Sequence, residues 1–77
     1  MNDDAFISQF ADSIEGLEAA GLTLDTRLAD IPQWDSLAIL TTIAMADADF
    51  EATVSGQELN QCATIGDIKA LIERKQG

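Results

Sequence analysis

Seventy-seven residues with fourteen acids, four cations, a formal net charge of −10 and no histidine leave little room for chemistry performed unaided. Without histidine the Ser-His-Asp and Cys-His routes to an activated nucleophile are closed, as are imidazole metal sites, and the single Cys62 cannot furnish a thiolate cluster. So acidic a chain is repelled by nucleic-acid phosphates and by anionic membrane surfaces, and is suited instead to docking on basic patches of protein partners.

The first helix is expected to begin at Asp3 or Asp4 as cap, with Phe6, Phe10, Ile14 and Leu17 at helical spacing and Ile7 beside them. Asp12, Glu15 and Glu18 interrupt that stripe and should face water, and Gly16 or Gly21 ends it. No helical period persists over residues 22–34, but Leu24, Leu28, Ile31 and Trp34 recur at three or four residues and are expected to anchor this connection on the core. Pro32 fixes the approach to the next helix.

That second helix should run from Ser36 to Asp47 or Asp49. Leu37, Leu40 and Ala44 share one face and Ile39, Ile43 and Ala46 a neighbouring one, a broader apolar surface than one core contact needs. Either the helix is deeply buried or part of it is a docking surface. Phe50 and Val54 lead to Ser55-Gly56-Gln57-Glu58, a capping box opening a brief helix with Leu59. Thr64-Ile65-Gly66-Asp67 is a looser version of the same signal. It opens a last helix with the stripe Ile65, Ile68, Leu71 and Ile72, and Arg74 and Lys75 at its end suit the helix dipole. The expected fold class is therefore all-α: a small bundle of three main helices and one short helix, spanning residues 1–77 as a single domain.

A hydrophobic fraction of 47% is too high for a disordered acidic tail. One cysteine means no internal disulfide, in keeping with a reducing cytoplasm, and Cys62 is expected to be a small packed residue rather than a reactive thiol. Met1-Asn2-Asp3-Asp4 shows no export signal, and the apolar run over residues 37–46 is broken by Thr41 and Thr42 and too short to span a bilayer. A cytoplasmic, non-catalytic monomer without a metal site is the expectation.

The chemistry concentrates at Trp34-Asp35-Ser36-Leu37. Asp35 is a good N-cap, and Ser36 then falls in a first turn whose free N–H groups and dipole favour an anion attached there. Taken alone, Asp-Ser is an ordinary helix start. Within this order of helices, however, Leu28-x-Asp30-Ile31-x-x-Trp34-Asp35-Ser36-Leu37 resembles the attachment segment of the acyl carrier proteins, in the branch with tryptophan before the aspartate, and the resemblance covers nearly the whole chain. It implies a four-helix carrier fold, and a 4′-phosphopantetheine arm from coenzyme A on Ser36 that holds acyl intermediates as thioesters. It further implies that Asp35 is used by the phosphopantetheinyl transferase (holo-carrier synthase) and that Leu37 contacts carrier-recognising enzymes: a ketosynthase, acyltransferase or ligase. Asp47 and Asp49 are expected to serve partner recognition too. Carriers of general fatty-acid synthesis usually have acids along the second helix where Ala38 and Thr41 stand here, which implies a dedicated lipid, polyketide or other specialised pathway.

Three alternatives remain open on sequence. An aminoacyl or peptidyl carrier would share fold and serine, and an unmodified acidic adaptor would share the bundle. A calcium loop is imitated by Asp47, Asp49, Glu51 and Glu58 at loop positions 1, 3, 5 and 12, with Val54 and Ser55 at 8 and 9. Ala52 stands where that loop needs glycine, however, and no second loop pairs with it.

Overall fold

In a computed structural model the chain is an all-α bundle of four helices, described over residues 2–76. Met1, part of the N-terminal stretch read above for an export signal, lies outside the described residues, as does Gly77. The helices are α1 (Asp3–Asp12), α2 (Ser36–Phe50), α3 (Gly56–Asn60) and α4 (Ile65–Lys75), with a 3₁₀ turn at Leu28–Asp30. Among the described residues there is no strand; Arg27 with Thr64 and Ala52 with Gln76 form isolated antiparallel bridges. No described helix is long and apolar enough to cross a membrane.

α1 is capped one or two residues before the expected Asp3 or Asp4. Asn2 is the cap, accepting from the Ala5 N–H at 3.1 Å, which leaves Asp3 and Asp4 in the first turn, where their charge suits the dipole. The helix also stops at Asp12, short of Gly16 and Gly21. The Ser13 hydroxyl donates to Phe10 O at 2.7 Å, and the Ser13 and Ile14 N–H groups reach back three residues to Phe10 and Ala11. That tightened turn ends the α pattern while still burying Ile14 and half-burying Leu17, so the apolar spacing outlasts the helix that it announced.

The connection before α2 is anchored as expected: Leu28 and Ile31 are buried, and Leu24 and Trp34 pack against the core. It is also stitched to the start of α4 by Leu28 N–H to Ala63 O (2.9 Å), Ile65 N–H to Thr26 O (3.1 Å) and Gly66 N–H to Leu24 O (2.8 Å). Glycine at 66 allows this close approach, since a Cβ there would stand 3.0 Å from Leu24 O and the Leu24 segment would have to give way by a few tenths of an ångström.

Both capping boxes are present in full, Ser55 with Glu58 and Thr64 with Asp67. Glu58 also receives Lys75 Nζ at 2.7 Å, joining α3 to the end of α4, and this bond first and foremost holds the Glu58 carboxyl below the usual carboxylate range. α4 buries the whole expected stripe of Ile65, Ile68, Leu71 and Ile72. All four aromatic residues form one row: Phe50 to Phe6 at 5.8 Å between ring centroids, Phe6 to Phe10 at 6.4 Å, and Phe10 to Trp34 at 5.9 Å.

One polar side chain lies fully inside this core. Thr42 on α2 is completely buried, and its Oγ1 has no hydrogen-bond partner. A hydroxyl desolvated without a partner is a net loss, and a methyl group occupies almost the same space. Thr42→Val is therefore expected to raise stability by about 1 kcal/mol in urea denaturation. A destabilised variant would show that the hydroxyl has a partner.

Candidate functional site

α2 starts at Ser36 because Asp35 stops the preceding chain from continuing into the helix. Asp35 is extended, its Oδ1 accepts from the Ala38 N–H at 2.9 Å, and its carbonyl accepts from Ile39 at 3.0 Å. Ser36 is thus the first helical residue, exposed at the positive end of a fifteen-residue helix. Just before it, Pro32 and Gln33 form a turn and the Trp34 N–H donates to Ile31 O at 3.0 Å, while the indole rests on Phe10. Beside the serine a groove of about 320 Å³ runs between the turn after α1 and the start of α2, lined by Ser13, Glu15, Gln33, Asp35, Leu37 and Thr41 among others.

The faces of α2 divide differently from the simplest reading of its sequence. Ala38, Thr42, Met45 and Ala46 point into the core, Ile39 and Ile43 pack at its edge, and Leu37 and Leu40 are each 63% exposed, with Ala44 exposed one turn on. The Leu37–Leu40–Ala44 face is therefore a surface continuous with Ser36, not part of the core. One expectation is overturned here. Ala38 was read as a partner-facing position, but only 3% of it is exposed, and Thr41 is half-buried with its hydroxyl donating to Ala38 O at 2.9 Å. Besides Ser36, the positions that meet solvent in the first turns are Leu37 and Leu40.

Asp47 and Asp49 are exposed at the far end of α2, about 16 Å or more from Ser36 at 1.5 Å per residue. They lie near the negative end of the dipole, so they weaken the helix slightly and are not drawn together with the serine. The acids of the imagined calcium loop are also dispersed. Asp47 and Asp49 belong to α2, Glu51 caps it in the left-handed conformation at φ 53°, and Glu58 is committed to Ser55 and Lys75. Among the described residues no group of three or more acids or cysteines is placed to hold a metal ion. Cys62 is half-buried with Sγ 3.6 Å from Glu58 O, and burial above all pushes its thiol above the ordinary range, away from thiolate chemistry.

The sequence places Leu40 on one face with Leu37 and Ala44 and leaves open whether that face is buried or a docking surface; the structure exposes it, and it also brings in Gln33, which the sequence does not single out. The spacing of Leu40, four residues after Ser36 and three after Leu37, is what sets it on the face of the serine. Gln33 carries no comparable local signal.

Over 55 residues, 71% of the chain, the sequence is 44% identical to part of the non-reducing polyketide synthase VdtA of Byssochlamys spectabilis. The matched stretch amounts to 2% of that protein's length. Wherever 55 residues are laid in a chain of 77, they span positions 23–55, so the similar stretch takes in Ser36 and all of α2. No family profile and no solved structure matches.

Two outcomes are expected. Leu40→Asp should change stability by less than about 0.5 kcal/mol, whereas Ala38→Asp, which places a carboxylate in the core, should lose on the order of 3 kcal/mol in denaturant titrations. Equal effects would refute the division of faces. Thermal melts should rise with sodium, magnesium or calcium salts alike, since a net charge of −10 is being screened. A calcium-specific rise that disappears in Asp47→Ala would instead restore the calcium loop.

Proposed function

We propose that residues 1–77 form a single carrier domain of acyl-carrier type, with Ser36 as the attachment point of 4′-phosphopantetheine. The observation that carries this reading is the exposed serine hydroxyl at the first position of α2, set there by the Asp35 cap and followed by a solvent-facing Leu37 and Leu40. The similarity to part of a polyketide synthase supports it and favours a polyketide-type acyl cargo over an aminoacyl one.

The residues fit the group on chemical grounds. In loading, Ser36 Oγ bonds to the pantetheine-bearing phosphorus of coenzyme A. The pyrophosphate bridge to adenosine 3′,5′-bisphosphate breaks, and the hydroxyl proton passes to a base of the transferase. The chain needs no base of its own, so the missing histidine is no obstacle. Asp35 fixes where α2 begins and hence where Oγ stands, and the positive helix end favours the resulting phosphodiester. The arm's terminal thiol supplies the thioester linkage to the cargo.

Its partners in this reading are the transferase and synthase enzymes such as a ketosynthase or acyltransferase. Long-range steering comes from the net negative charge and short-range grip from Leu37, Leu40 and Ala44, with Asp47 and Asp49 at the margin. An apolar rather than acidic surface next to the serine suits dedicated enzymes better than those of general fatty-acid synthesis. The carrier acts as a cytoplasmic monomer.

Incubation with coenzyme A and a broadly specific phosphopantetheinyl transferase is expected to add one phosphopantetheine by intact mass. Ser36→Ala should abolish the increment and leave the far-ultraviolet helical signal unchanged. A wild-type chain that stays unmodified, or a modified Ser36→Ala, overturns the assignment.

A further inference from the structure

Gln33, three residues before Ser36, makes a contact that its local sequence does not require. Its Nε2 donates to Gly16 O at 3.0 Å, a bond across 17 positions that ties the turn after α1 to the turn entering α2. Gly16 stands at φ 83°, in the left-handed region that favours glycine, and a Cβ there would meet the Gln33 side chain only at ordinary contact distance, 4.0 Å. The other end of the amide, Oε1, is buried without a hydrogen-bond partner.

Those two ends work against each other in stability. The net gain from one neutral hydrogen bond is no larger than the loss from burying an amide oxygen with nothing to meet it. An apolar side chain of the same length would serve the fold as well. What the amide adds is a fixed distance between two loops, and the loop it fixes is the one that delivers Asp35 and Ser36. Apart from it, that loop is held by buried Ile31, the Trp34-to-Ile31 backbone bond, the packing of Trp34 on Phe10, and the cap at Asp35.

We propose that Gln33 is a positioning residue for modification of Ser36: its bond to Gly16 pre-orders the entering turn, so that a transferase binds the turn without having to order it. The inference rests on the reading of Ser36 given above. A pre-ordered segment lowers the entropy lost on binding, while the geometry in the bound complex stays the same. Loss of the bond is therefore expected in KM and not in kcat.

The test compares the whole chain with Gln33→Met, which keeps the length and removes both ends of the amide, and with Gln33→Asn, which keeps the amide but falls one methylene short of Gly16. Gln33→Met should melt at the wild-type temperature. For loading from coenzyme A by a phosphopantetheinyl transferase, both variants should show a KM for the carrier about fivefold higher at unchanged kcat, the effect of one net hydrogen bond. Amide hydrogen exchange should quicken at Trp34, Ala38 and Ile39 and stay unchanged at Ile68, Leu71 and Ile72. A wild-type KM in either variant, or unchanged exchange at Trp34, Ala38 and Ile39, overturns the proposal, as does a melting temperature that falls along with kcat. If Gln33→Met does not fold, Gln33→Asn decides. If the wild type itself is not loaded, the reading of Ser36 falls, and exchange alone then judges the Gln33 contact.

Discussion

The row of four aromatic rings is the contact on which the rest of the bundle depends. Phe6 and Phe10 lie one turn apart on the same face of α1, and between them they reach both ends of α2, Phe6 through Phe50 and Phe10 through Trp34. A ten-residue helix thereby sets the direction of a fifteen-residue one. Loss of a buried phenylalanine costs about 3–5 kcal/mol, comparable with the whole stability of a domain this small. The row must also hold against a net charge of −10, since no cation falls between Arg27 and Lys69 to offset the acids of the α2 side. The ion pairs Lys69 with Asp3 and Lys75 with Glu58 both involve α4, where the charge is closest to balanced.

The sequence was most legible where structure is decided within four residues. The starts of α2, α3 and α4 could be read from Asp35, Ser55 with Glu58, and Thr64 with Asp67, because a side chain that meets a backbone N–H three positions on needs no information from elsewhere. The stripe of α4 was equally plain, with one apolar face and cations at its end. The end of α1 was not, since Ile14 and Leu17 keep helical spacing on a turn that Ser13 has already tightened.

α2 was legible as a helix and not as an oriented one. Apolar residues surround it, and only packing selects among them. Small Ala38 and Ala46 face the core, where the helix lies close to its neighbours, and two leucines are left in water. Hydrophobicity alone would choose the reverse. The same limit applies to Gly66 against Leu24 and to Gln33 against Gly16, pairs whose members are far apart in the chain and carry no pattern that links them. At the candidate site, then, the serine and its cap were visible in advance, whereas the surface around them and the contact behind them depend on long-range packing.

Trp34 is the chain's single indole, and there is no tyrosine. It is half-buried on Phe10 and precedes Ser36 by two residues, so emission excited at the red edge of the protein band comes entirely from the turn that presents the serine. No other fluorophore of the polypeptide dilutes that signal or passes energy to it. The protein thus carries its own optical probe at the one place where its surface chemistry is concentrated, and changes there are visible without any label.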